Sequence, residues 1–162
     1  CKMKHIISVL VENKSGVLAK VAGLFSRRGF NIDSLAVGPT DDKAISRITI
    51  VVNAENHSIE QITKQLYKLI NIIKIQELDP SNIVERELVL IKVNADSKTR
   101  PEILEIVSIF RANIVDVGKK TLMIEITGSN RKVKALEDLL RPFGIQELVR
   151  TGKIACMRGY KD

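Results

Sequence analysis

One pattern constrains the fold of this 162-residue chain more than any other: the order strand, helix, strand, strand, helix, strand occurs twice. Short β-branched apolar runs predict the strands, and apolar residues three and four positions apart predict the helices. A turn ending in Gly16 leads into the first helix. The first-half elements are strands at 6–11, 31–37, 48–52 and 72–78, and helices marked by Val17 to Phe25 and by Ile59 to Leu69.

The same order returns after Asp79-Pro80-Ser81-Asn82, a segment that breaks both periodicities. Proline and polar residues of this kind predict a linker, here 79–83, between domains at 1–78 and 84–162. Pro101 suits the start of the third helix, and Pro142 ends the fourth. The second-half elements are strands at 88–93, 114–117 and 122–126, helices marked by Ile103 to Phe110 and by Val133 to Leu140, and extended segments at 145–149 and 153–156.

Each half is therefore predicted to be a ferredoxin-like βαββαβ unit of the α+β class. The expected sheet is antiparallel with strand order 4-1-3-2 and both helices on one face. This order leaves the second strand, Asn31–Val37, at an edge, and an exposed edge can pair with another copy of the chain. We expect a homodimer in which the first sheet is extended side by side.

Composition argues against several classes of function. The net charge of +7 is spread along the chain without a run of like charges, which argues against a nucleic-acid tail. No apolar run is long enough to span a membrane, and none at the start resembles a signal peptide. Cys1 and Cys156 form no ligand-spaced cluster, which predicts no metal site and fits a reducing cytosol.

No catalytic residue is predicted. His5 and His57 have no paired nucleophile, and adjacent Asp41 and Asp42 are interpreted as hairpin-turn residues. Cys156 lies in an apolar stretch and is interpreted as an inert core thiol. A stand-alone enzyme of the acylphosphatase type, which shares this fold, remains an alternative that an assay of the isolated chain would test.

RNA binding is the other alternative, because the RNA-recognition motif is also βαββαβ. That motif stacks bases on aromatic residues of its first and third strands. The corresponding strands here, 6–11 and 48–52, contain no aromatic residue. The aromatic residues Phe25, Tyr67, Phe110 and Phe143 are instead predicted on helices or at their ends, where core packing explains them. No nucleic-acid partner is expected.

Three polar or small residues suggest a ligand site. Gly16 precedes a helix, whose N-terminal N–H groups favour a carboxylate. Asn13 and Asn31 can each donate and accept through one amide, as an α-amino acid requires. The alternative is purely structural: Asn13 as a turn residue, Ser15 as a helix cap, and Gly16 as a residue with positive φ.

Several longer runs carry a family resemblance. They resemble the small regulatory subunit of acetolactate synthase (acetohydroxyacid synthase), whose N-terminal domain is an ACT domain, and the resemblance covers essentially the whole chain. The matching runs are 11–18 (VENKSGVL), 23–35 (GLFSRRGFNIDSL), 39–42 (PTDD), 61–69 (QITKQLYKL), 84–88 (VEREL) and 109–112 (IFRA).

The resemblance implies a regulatory protein without an active site of its own. Members of this family activate a separate catalytic subunit, which uses thiamine diphosphate, Mg²⁺ and FAD, and they mediate feedback inhibition by valine or related branched-chain amino acids. The chain itself would need no cofactor and would act in the cytoplasm, or in the plastid stroma if organellar. By resemblance the effector site consists of Asn13, Gly16, Val17, Leu18, Asn31 and Ile32, while the choice among valine, leucine and isoleucine stays open.

Overall fold

The computed structural model describes residues 3–159. Four α-helices and nine strands form its regular structure, with short 3-10 turns at Pro80–Asn82 and Arg141–Phe143. The elements are β1 Met3–Glu12, α1 Val17–Arg27, β2 Asn31–Pro39, β3 Ile45–Ala54, α2 Asn56–Leu66, β4 Ile72–Leu78, β5 Ile83–Asn94, α3 Arg100–Ile109, β6 Asn113–Val117, β7 Thr121–Gly128, α4 Asn130–Leu140, β8 Ile145–Arg150 and β9 Ile154–Met157.

The first sheet has the order β2-β3-β1-β4, and each of its neighbouring strands pairs antiparallel. This is the predicted 4-1-3-2 order. Alternate residues of β1 and β3 point towards the helices and form a core with the buried faces of α1 and α2. Phe25 is fully buried there and meets Phe30 edge to face, with ring centroids 5.5 Å apart. Gly29, with φ of 76°, ends α1 as helix-terminating glycines do.

A second, smaller apolar cluster lies in the same unit. It contains Ile6, Val51 and Leu78 from the sheet, together with Ile83 and Ala155. The chain divides into two compact units, Cys1–Val84 with Lys153–Asp162, and Glu85–Gly152. The sequence pattern predicts that the chain after residue 152 belongs to the second domain, whereas burial of Ala155 in this cluster places residues 153–159 with the first unit. The predicted linker residues lie in the 3-10 turn and at the start of β5.

The second unit repeats the arrangement of the first. Its strands follow the order β6-β7-β5-β8, and its core is formed by β5 and β7 with α3 and α4. The irregularities repeat as well, since β2 is bulged between Ile32 and Ser34, and β6 between Ile114 and Asp116. The α+β fold of two ferredoxin-like units is therefore confirmed.

Two expectations about single residues are wrong. Cys156 is an exposed free thiol, because β9 alternates and places Ala155 rather than Cys156 on its buried side. Cys1 lies outside the described residues. Tyr67 is 52% exposed and does not belong to the core. Its hydroxyl instead accepts a hydrogen bond from the Ile75 N–H at 3.0 Å and donates to the Ile75 carbonyl at 3.4 Å.

Candidate effector site

The turn between β1 and α1, together with the first two residues of α1, carries four of the six predicted effector residues. Asn13 fixes this turn to the β2–β3 hairpin: its backbone N–H donates to the Ala44 carbonyl at 2.8 Å and its side-chain amide to the Lys43 carbonyl at 2.9 Å. Asn13 is therefore a turn-holding residue, whose side-chain oxygen can still accept a hydrogen bond. Asp42 holds the same hairpin by accepting from the Ala44 N–H at 3.0 Å, which confirms its interpretation as a turn residue.

Gly16 is the N-cap of α1 and has φ of 86°. No side chain caps this helix, and a Cβ built on Gly16 would meet nothing within 4 Å. Glycine is favoured here by the backbone angle and not by crowding. The exposed, uncapped N-terminus carries partial positive charge and N–H groups that suit a carboxylate.

The next two residues play different parts. Val17 is 4% exposed and its side chain packs in the core, so only its backbone can meet a ligand. The Val17 N–H makes one long hydrogen bond, 3.4 Å, to the Lys14 carbonyl. Leu18 is 39% exposed and offers an apolar side chain beside the turn.

A salt bridge fixes the charge beside the turn. The Lys14 ammonium lies 2.8 Å from the Glu12 carboxylate. The hydrogen bond from Lys14 lowers the pKa of Glu12, and the same bond raises the pKa of Lys14. Both groups therefore remain charged at neutral pH, and the pair adds little net charge to the site.

Asn31 and Ile32 lie at the opposite end of the same sheet. Asn31 is opposite Asn53 on β3, whereas Glu12, which precedes the turn, is opposite Ile45. Eight residues of β3 separate these positions, and at about 3.4 Å per residue they lie roughly 27 Å apart. One protomer therefore does not bring Asn31 and Ile32 together with Asn13, Gly16, Val17 and Leu18.

A polar cavity of about 250 Å³ opens in the first unit where β2 begins. Its walls include Arg28 and Phe30, which precede Asn31, and Asn53, which lies opposite Asn31. None of the six predicted residues lines this cavity.

The second unit contains an equivalent turn between β5 and α3. The Ala95 N–H donates to the Lys120 carbonyl at 2.8 Å, just as Asn13 does to Ala44. The next residue, Asp96, accepts two backbone hydrogen bonds at one side-chain oxygen, from Lys98 and Thr99, each at 2.8 Å. Asp96 is a residue that the sequence predictions missed, although an Asp in a short polar turn often bonds to the backbone two residues further on.

Tandem βαββαβ units with this turn geometry define a two-unit protein of the ACT type. Comparison with known proteins narrows the class. Residues 7–74 match the profile described as the AHAS small subunit-like ACT domain, and residues 86–159 match the small subunit of acetolactate synthase. The chain belongs to the acetolactate synthase small-subunit family.

Relatives from distant organisms agree over nearly the full length. A probable acetolactate synthase small subunit of Archaeoglobus fulgidus is 57% identical over 98% of this chain and 99% of that protein. The small subunit of Mycobacterium bovis is 57% identical over 96% of this chain and 92% of that protein. The crystal structure of the acetolactate synthase small subunit from Thermotoga maritima superposes on this chain with a TM-score of 0.92 at 45% sequence identity. The match covers 98% of this chain and 99% of that chain.

A small subunit implies a catalytic subunit as its partner. Within residues 3–159, no group of His, Cys, Asp and Glu side chains could hold a metal ion. No helix in the described part of the chain is long and apolar enough to cross a membrane.

Proposed function

We propose that this chain activates the catalytic subunit of acetolactate synthase and makes it sensitive to feedback inhibition by a branched-chain amino acid. The partner would supply the thiamine diphosphate, Mg²⁺ and FAD chemistry, in the cytoplasm or the plastid stroma. The family membership and the geometry of the β1–α1 turn support this proposal. The effector site we propose contains Asn13, Gly16, Val17, Leu18, Asn31 and Ile32.

The family membership carries the proposal, and the separation of these residues within one chain means that a second copy is needed to complete the proposed site. If β2 pairs antiparallel with β2 of a second copy, centred near Leu35, Asn31 of one copy lies opposite Pro39 of the other. Pro39 is opposite Ser46, and Ser46 is opposite Val11, two residues before Asn13. Strands lie about 4.8 Å apart, so three strand spacings bring the turn of one copy and Asn31 of the other within roughly 15 Å, a gap that their side chains and a ligand would fill.

The two edges of the first sheet differ in a way that favours this pairing. At the β4 edge, the N–H and carbonyl of Ile75 are already bonded to the Tyr67 hydroxyl. The β2 edge exposes Val37, whose side chain is 47% accessible. An unblocked strand with exposed apolar side chains is the edge that a second copy would extend.

The chemistry of the turn suits a zwitterion with a branched apolar side chain. The effector carboxylate would accept from the N–H groups at Gly16 and Val17, and its ammonium would donate to the side-chain oxygens of both Asn13 and Asn31 of the second copy. Leu18 and Ile32 would contact the aliphatic group. One methylene in such a pocket changes the binding free energy by about 1–3 kcal/mol, which sets the scale of discrimination among valine, leucine and isoleucine.

Gly16→Asp tests the site. The open space around Gly16 admits the side chain, and Asp tolerates positive φ at a cost of about 1 kcal/mol, so the fold should persist. The new carboxylate should repel the effector carboxylate and weaken binding by about 100-fold or more, the equivalent of a lost charge-assisted hydrogen bond. Calorimetry with L-valine, L-leucine and L-isoleucine measures this, and activation of the catalytic subunit should persist.

A mixing experiment tests whether two chains share the site. When each variant is assayed alone, Gly16→Asp and Asn31→Ala should each leave too little binding to measure at effector concentrations that saturate the wild type. In a mixed dimer, the Asn31→Ala chain supplies an intact β1–α1 turn and the Gly16→Asp chain supplies an intact Asn31. One of the two sites in that dimer is therefore restored. Random mixing should recover about a quarter of the wild-type sites. No recovery on mixing would contradict a shared site, and no binding to the wild type in the presence of its catalytic subunit would contradict the sensor function.

A further inference from the structure

The loop between α2 and β4 presents an unusually exposed apolar surface in the first unit. Ile70 is 92% exposed, and its neighbours in the loop, Tyr67 and Ile73, are 52% and 47% exposed. We call these three residues the α2–β4 tip. Single apolar residues are common on protein surfaces, whereas several within one short loop form a patch of the kind that a protein partner covers.

The loop that carries the tip is held in place on both sides. Leu69 and Ile72, which flank Ile70 closely, both pack against the core of the first unit. The Tyr67 hydroxyl joins the start of the loop to the backbone of Ile75 on β4. The exposure of Ile70 is therefore part of the fold, and an anchored side chain loses less conformational entropy on binding than a mobile loop would.

The surface around the tip is positively charged. Lys64, Lys68 and Lys74 are all exposed. Residues 61–76 include no acidic residue, and none of the three lysines is within salt-bridge distance of a carboxylate in the described part of the chain. Uncompensated positive charge around an apolar centre fits an apolar pocket with an acidic rim, because opposite charges speed encounter and orient the two surfaces.

The same loop adjoins the turn that we propose to bind the effector. The Asn71 carbonyl accepts a hydrogen bond from the Glu12 N–H at 2.9 Å. Glu12 is the last residue of β1, and the turn that ends in Gly16 follows it directly. A protein bound at the tip would therefore lie next to the effector turn, as coupling between an effector and a partner protein requires.

We propose that the α2–β4 tip docks on the catalytic subunit, with Ile70 inserted into an apolar pocket that has an acidic rim. This inference rests on the proposed function, which requires contact with that subunit. A second copy of this chain is disfavoured as the occupant, because the Tyr67 hydroxyl already bonds the Ile75 groups that would pair with another strand.

Activation assays with the purified catalytic subunit test the inference. Ile70→Asp should raise the concentration of this chain that gives half-maximal activation by about 30-fold or more, the loss typical of a central interface residue. Ile70→Leu keeps an apolar side chain of similar volume and should stay within about 3-fold of the wild type. Because Ile70 is almost fully exposed, both variants should unfold at the same urea concentration as the wild type.

A charge reversal with a matched control tests the acidic rim. Lys68→Glu should raise the half-maximal concentration by about 10-fold at roughly 20 mM salt and by less than about 2-fold at roughly 0.5 M salt, where exposed charges are screened. Lys120→Glu makes the same change at an exposed lysine of the second unit and should have little effect at either salt concentration. Equal effects of the two substitutions would overturn the proposed pocket.

The outcomes separate the docking surface from the function beneath it. Failure of the wild-type chain to activate the catalytic subunit would overturn the proposed function. Activation by the wild type, with an unchanged half-maximal concentration for Ile70→Asp, would overturn the inference alone.

A second measurement applies if Ile70→Asp does not fold. With a photoreactive phenylalanine analogue at position 70 of the full chain, irradiation in the presence of the catalytic subunit should join the two proteins covalently. An adduct formed only with a second copy of this chain, or no adduct at all, would overturn the inference.

Discussion

Replacing Arg150 by methionine should destabilise the second unit by about 3 kcal/mol, because it leaves a buried carboxylate without its cation. Glu87 is 4% exposed, and its Oε1 has no hydrogen-bond partner among the described residues. The nearest cationic group is the Arg150 Nε, at 3.6 Å. At this distance an effective dielectric constant of about 20 gives an attraction of roughly 4–5 kcal/mol, and the partial exposure of Arg150 reduces it.

The Arg150 guanidinium also lies 3.7 Å from the Glu137 carboxylate. Glu137 should tolerate the loss of Arg150, because it retains a second salt bridge to Arg141 at 2.7 Å. Glu87→Met removes the buried charge itself, so we expect stability within about 1 kcal/mol of the wild type. The double variant Glu87→Met with Arg150→Met should then recover most of the loss. Urea unfolding followed by a probe in the second unit measures all three variants. A double variant as unstable as Arg150→Met would refute the reasoning.

Two further predictions concern the core and the response to acid. Phe25→Ala removes a fully buried ring that packs against Phe30 and should cost about 3–5 kcal/mol in the first unit, measured by urea unfolding; a loss below about 1 kcal/mol would contradict its place in the core. The stabilisation that Asp96 provides should be complete above the ordinary pKa of aspartate and lost as the pH falls through its lowered folded-state pKa. Thermal unfolding temperatures measured across the acid range should fall more steeply with decreasing pH in the wild type than in Asp96→Ala. The same dependence of unfolding temperature on pH in both proteins would contradict this prediction.

The architecture could be predicted because its signals are local. Helical spacing from Val17 to Phe25 and alternation along Ile48–Val52 each indicate which face of the element is buried. Because the βαββαβ order occurs in both halves, it predicted the strand order of each sheet. The bulge after Ile32 and the return of Ala155 to the first unit were not predictable. They depend on packing between residues far apart in sequence, which no local pattern encodes.

The candidate site was only partly accessible from sequence, for a geometric reason. The motif residues Asn13 and Asn31 are only 18 positions apart in sequence, yet the strand register separates them by the length of β3. In the proposed dimer, pairing of two sheet edges would bring them together, and the choice of edge depends on such details as the Tyr67 hydroxyl. Resemblance named these residues, and the structure showed that they do not lie together within one chain.

The Tyr67 hydroxyl also bears on how large an assembly can grow. A sheet with two open edges has a valence of two and can add copies indefinitely, as fibrils do. If β2 of one chain pairs with β2 of another, the combined sheet presents only two β4 edges, each with its Ile75 groups already bonded. A third chain would have to displace the Tyr67 hydroxyl to pair with Ile75, so this hydroxyl disfavours growth of such a sheet beyond two chains.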